Sequence, residues 1–161
     1  VDATTMSIGV WFSLPDKDGL HVLVDQDEYY AAAPVVQKVN VVMDEVLEKR
    51  HDDVVAVTRA IIAASRDFAA DPHKWVDAMA EARDDVSRED LEALAEAFAE
   101  SWSVNGGLNR EELEYTANWA YESPDFEGLQ KVDLEQWVDF SIADEALEKL
   151  GKAEGSDQPV R

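Results

Sequence analysis

The chain has 161 residues, with 14 Lys plus Arg against 36 Asp plus Glu, so its formal charge is -22. A surface of that sign disfavours nucleic acid and anionic membranes, because every phosphate contact would work against the field of the whole molecule. With 46% hydrophobic residues and five Trp the chain is nevertheless too apolar for a disordered acidic tail.

The acid is spread along the whole sequence, a bias that resembles proteins of salt-loving organisms. At low salt such a surface repels itself, and molar salt shortens the Debye length to about 3 Å. The expected consequence is a melting temperature that rises between low salt and molar KCl. With no Cys, disulfides, thiolate metal sites and cysteine nucleophiles are excluded.

In chain order, the first 42 residues read as strand-like. Ile8 to Leu14 is apolar with small residues, and Pro15-Asp16-Lys17-Asp18-Gly19 is a turn signal. His21-Val22-Leu23-Val24 and Val35 to Val42, the latter introduced by Pro34, are β-rich runs. After Asp44 the period becomes helical. A helix is predicted from Asp52 to Ala70, with Val54, Val57, Thr58, Ile61, Ser65 and Phe68 as its inward stripe. Asp71-Pro72 pairs an N-cap with Pro at the first helical position and opens a helix carrying Trp75, Val76 and Met79 inward.

Ser87-Arg88-Glu89-Asp90 resembles a capping box with Asp in place of Glu, followed by the stripe Leu91, Leu94, Ala95, Phe98 and Trp102. Asn109 with Glu112 starts a further helix, and Asp133 with Gln136 starts the last region, which stops near Gly151. Lys152 to Arg161 lacks a hydrophobic pattern and is expected to fray.

Chemical signatures fail when tested. Asp16-Lys17-Asp18-Gly19 looks like part of a calcium loop, but Leu14 and Asp25 stand where ligands are required. His21, His51 and His73 have no metal-ligand spacing, and Gly106-Gly107 lacks a phosphate-loop context. No nucleophile elbow is present, and carboxylate pairs are too common here to indicate acid-base chemistry. The residues thus predict neither an enzyme nor a metal or cofactor site. Two clusters of aromatic and small residues remain, Ser7 to Pro15 and Ser101 to Asn109, readable as core and turn or as the lining of a ligand cleft.

Val1-Asp2-Ala3, the Trp11 segment, the strand Gly19 to Asp25, the run Val35 to Val42 and the Ala-rich stretch from Asp53 to Pro72 resemble, in order and spacing, part of a known family. That family is the substrate-binding proteins of ABC importers, in the branch that takes nitrate, sulfonates, taurine and thiamine-pyrimidine precursors. The similarity continues through Trp75-Val76 and Ser87 to Leu91. It implies an α/β fold, the C-terminal part of a two-lobed periplasmic-binding-protein-like (type II) architecture, with few strands followed by a mainly helical region.

Its expected divisions are 1–42 as the end of the second lobe and crossover strand, 43–151 as a helical region returning to the first lobe, and 152–161 as a flexible tail. The resemblance implies that Ser7, Gly9 and Trp11 edge an interlobe cleft, with Asn40 near the hinge and Asn105 and Gly106 as further ligand contacts. A permease and an ATPase are the implied partners. The implied location is extracytoplasmic, with membrane anchoring through a missing N-terminal segment. A chain lacking its first lobe is expected to self-associate through strand edges. Because of the negative surface, a pyrimidine-like ligand fits better than an anionic one. Two rivals remain, a thiamine-pyrimidine-precursor biosynthesis enzyme and a non-enzymatic helical interaction domain.

Overall fold

The computed structural model describes residues 2–36, 38–107, 109–155 and 157. The expectations that touch Val1, Gln37, Leu108, Ser156 and 158–161, including fraying of the last residues, lie outside them.

Among the described residues 58% are helical and none is in a strand, which overturns the expected α/β fold. The physical reason is visible in each strand-like run. Ile8 to Leu14 coils into α1 (Ile8–Ser13), because Ser7 caps it by accepting the Val10 N–H at 3.4 Å. The run at His21 to Val24 is a bend followed at once by α2 (Gln26–Ala32), whose cap Asp25 accepts the Glu28 N–H at 2.9 Å. Val35 to Val42 has strand composition, but its described residues join no ladder. The Val36 N–H donates to Thr116 Oγ1 at 2.8 Å, a side chain, and Val41 is 88% exposed. Extended backbone becomes a strand only when another strand pairs with it.

The helical expectations hold more closely. After α3 (Asp44–Lys49) comes α4 (His51–Ala70), then α5 (Pro72–Ala82), α6 (Arg88–Ala97), α7 (Arg110–Tyr121) and α8 (Ser141–Leu150). Short 3₁₀ turns at Pro124–Phe126 and Leu134–Gln136 separate the last two. Caps fix the boundaries, each satisfying an N–H that the helix itself leaves unpaired. Asp71 accepts from His73 N, Ser87 from Asp90 N and Asn109 from Glu111 N. Asp90 is too short to complete a reciprocal box and instead takes the Ser87 hydroxyl proton at 2.6 Å. The turn before α2 also forms, with Asp18 N donating to Asp16 Oδ1 at 2.8 Å and Gly19 at φ +76°.

The stripe on α4 is rotated from its expected register. Val55 and Ile62 are buried, whereas Val57 and Ile61 are exposed. Val54-Val55 and Ile61-Ile62 are adjacent apolar pairs, so two helical stripes about 100° apart fit the sequence equally well.

The chain divides into two compact units: 1–21 with 64–102, and 22–63 with 103–161. In the first, α6 packs on α5 and α1, and Val76, Leu91 and Ala95 form the interior with Trp75, Met79 and Val86 against them. In the second, Ile62, Ala146 and Leu147 are packed together with Leu150, and Leu113, Leu134 and Ile142 are also buried.

Candidate functional site

The residues expected at a ligand cleft are distributed over both units. In the first unit, Ser7 is occupied as the cap of α1, and Gly9 and Trp11 lie on that helix, half-buried. The Trp11 ring carries the Lys17 ammonium 5.7 Å from its centroid, a cation-π contact. In the second unit, Asn40 is exposed on the extended segment. Asn105 and Gly106 lie between α6 and α7, and Asn105 is 1% exposed.

Asn105 is the most tightly held polar side chain described. Its Nδ2 donates to Ala153 O at 3.0 Å, and its Oδ1 accepts the Ala153 N–H at 2.9 Å. Its own N–H and that of Gly107 donate to Asp157 Oδ2, at 2.7 and 3.1 Å. The loop can bend this way because Gly106 and Gly107 have φ of +96° and +68°, a region that disfavours side chains. A Cβ on Gly106 would also meet Ile62 Cδ1 at 3.4 Å. The two residues expected as ligand contacts therefore make their polar and close contacts within the chain.

Ala153 and Asp157 were not foreseen as members of this cluster. No local signal could have supplied them, since Asp157 bonds to a residue 52 positions away. For α2 a signal was present: Asp25 and Glu28 have the cap spacing that correctly located α6.

The second aromatic cluster is an interior. Trp102 lies 5.2 Å from Phe68 and 6.4 Å from Trp75, and Trp75 meets Phe98 edge-on at 6.1 Å. Trp102 Nε1–H is buried and has no hydrogen-bond partner among the described residues.

Two open concavities occur on the surface. One, of ≈ 310 Å³, lies between α5 and α6 over Val76 and Ala95, edged by His73, Glu92 and Glu96. The other, of ≈ 230 Å³, lies over Glu135 to Asp139. Neither is lined by Ser7, Gly9, Trp11, Asn40, Asn105 or Gly106. Among the described residues no group of three or more His, Cys, Asp or Glu is arranged to hold a metal ion. No described helix is long and apolar enough to cross a membrane.

Charge is managed mostly at the surface. Arg110 bridges Glu135 at 2.6 Å and Glu114 at 3.4 Å, with its guanidinium 5.0 Å from the Phe140 ring centroid. The Arg83 hydrogen bond holds the Asp85 carboxyl below the usual carboxylate range. Glu112 moves the other way: partial burial, then the neighbouring Glu111 charge, pushes its carboxyl up.

No family model, no curated protein and no solved structure matches the chain.

Proposed function

We propose that the chain belongs to a solute-binding component of an ABC-type importer, taking a small molecule of the pyrimidine, sulfonate or nitrate class. The observation that carries this reading is the α4–α5–α6 series. Helix α4 runs 20 residues, rich in Ala, and closes at Asp71-Pro72, and Ser87 caps the helix that bears Leu91. Those are the residues through which the sequence resembles the importer family. The all-helical structure confines this chain's share of such a protein to helices and extended segments.

Those segments add support. Leu20, Val22, Leu23 and Val24, then Val39, Val41, Val42 and Met43, expose large apolar side chains outside the helices. Large apolar side chains left in solvent are suited to burial against a partner surface. A permease and an ATPase are the partners on this reading, and the location is extracytoplasmic.

A thermal-shift screen in molar KCl against pyrimidines, sulfonates, nitrate and amines tests it. A ligand at 100 times its Kd adds about 2.7 kcal/mol to stability. Trp11→Ala is expected to abolish the shift and the fluorescence response. Absence of any stabilising compound, or full retention of binding by Trp11→Ala, rejects the proposal.

A second reading, a non-enzymatic helical interaction domain, is favoured by Tyr115 and Trp119. They stand one helical turn apart on α7, both exposed, Trp119 at 63%. The thermal-shift screen decides here: a stabilising small molecule whose effect survives Trp119→Ala supports the importer reading over this one, and a clean monomer at high concentration in light scattering counts against the self-association expected from the importer reading.

A further inference from the structure

The loop between α6 and α7 gathers two backbone N–H groups onto one carboxylate oxygen. Asn105 N and Gly107 N lie 2.7 and 3.1 Å from Asp157 Oδ2, while Asn105 Nδ2 stands 3.5 Å from Oδ1 of the same group. Successive N–H groups turned to one side by glycines of positive φ form a concave anion site, in which backbone dipoles do the holding. Three donors thus meet an anion without any Lys or Arg. In a chain of net charge -22, a site made of neutral dipoles at short range keeps its attraction when salt screens distant charges.

The anion in that site is the chain's own, brought from 50 residues beyond Gly107. Its delivery is specific. Ala153 is bonded through both N–H and C=O to the Asn105 side chain, and Gly155 passes so close to Val104 that a Cβ there would collide with its Cγ2. Asn105, at 1% exposure, gives its amide chiefly to Ala153 and reaches Asp157 Oδ1 at 3.5 Å. Ala153 and Gly155 are therefore seated on the loop by contacts separate from those that hold the carboxylate.

We propose that the Val104–Gly107 loop is a receptor for a small-molecule carboxylate, and that Asp157 is an internal stand-in that an external carboxylate displaces. The two donors to Oδ2 and the Asn105 amide define the selectivity: a planar two-oxygen anion matches them, whereas a spherical halide offers no second oxygen to Nδ2. The importer reading also counts Asn105 and Gly106 among its ligand contacts, but this inference rests only on the hydrogen bonds of the loop itself, and Trp11, which the importer reading requires, lies in the other unit.

The test is a titration of the full chain with sodium acetate, exchanged for chloride at constant molar ionic strength and followed by the Asn105 and Gly107 amide signals in ¹H–¹⁵N spectra. In Asp157→Ala both signals are expected to shift saturably, with apparent affinity at least tenfold tighter than in the parent protein. Non-saturating shifts, or equal affinities in the two proteins, overturn the proposal. Should Asp157→Ala lose the dispersed spectrum of the folded state, Asp157→Asn decides, since it keeps an oxygen for both N–H groups and removes only the charge. Acetate must then bind Asp157→Asn more tightly than the parent, and equal binding rejects the receptor. The Trp11→Ala variant is expected to bind acetate as its parent does, which separates the failure of this site from failure of the importer reading.

Discussion

In the first unit Phe68, Trp75, Phe98 and Trp102 meet ring against ring, tilted or edge-on, and Trp75 packs against the buried Val76, Leu91 and Ala95. The second unit buries small and aliphatic residues, Ile62, Ala143, Ala146 and Leu147, and places its two tryptophans, Trp119 and Trp137, mostly in solvent. Its polar anchor is Asn105, for which the described residues of the first unit offer no buried counterpart. Rings fill volume with few side chains, while Ala-lined helices approach closely and leave room for a hydrogen-bonded amide between loop and tail. The same acidic composition therefore supports two packing solutions.

The largest expected effects fall on the interiors. Leu91→Ala and Ile62→Ala each remove a side chain that is 1% exposed, and each should cost about 2–5 kcal/mol in denaturant unfolding followed in molar KCl. Leu91→Ala should shift tryptophan emission more than Ile62→Ala, because half-buried Trp75 packs against the Leu91 cluster and Leu150 against that of Ile62. Equal shifts from both variants would break the comparison.

Asn105→Ala comes next. It removes the two part-buried hydrogen bonds to the Ala153 N–H and C=O, each contributing about 0.5–1.5 kcal/mol. Stability should fall while the ring environment of the first unit, read by near-UV circular dichroism, stays as it was.

Trp102→Phe should stay within about 1 kcal/mol of the parent. Lost ring area is offset by removal of an indole N–H that has no partner among the described residues. A loss as large as that of Leu91→Ala would show that the indole fills space no phenyl ring can.

The smallest effect is electrostatic. Burial raises the Glu112 carboxyl, so the folded state holds its proton more tightly than the unfolded chain, and this group's contribution is favourable at acid pH and declines as pH climbs through the carboxylate range. Glu112→Gln should therefore raise Tm by about 1–2 °C at pH 7 and leave it unchanged near pH 3. Asp85, lowered by Arg83, carries the opposite slope: its contribution is present above the ordinary carboxylate range and lost as pH falls through its depressed value. Asp85→Asn should flatten that acid limb.

The sequence was legible where the chain signals to itself. Asp71, Ser87 and Asn109 cap helices within a few residues, and all three were readable. It was illegible where an outcome depends on a distant partner. Val35 to Val42 has the residues of a strand, yet pairing is a property of two segments, and Thr116 meets Val36 across 80 positions. Ser7 and Trp11 looked strand-like because six apolar or small residues fit either period, and a single serine cap decided for the helix. Asn105 reads from sequence as a ligand contact or a turn residue, whereas the groups that hold it, the Asp157 carboxylate and the Ala153 backbone, lie about 50 residues on.

Each compact unit is assembled from two stretches of sequence that alternate along the chain, so the crossings fall at 21/22, 63/64 and 102/103. During synthesis from the N-terminus, the first unit has all its parts once Trp102 has emerged. The second unit, begun earlier at Val22, waits for α8 and for Asp157. Neither unit can be excised as one continuous fragment. The nascent chain must also keep 22–63 uncommitted while the aromatic unit closes, until its partner stretch from 103 onward has been made.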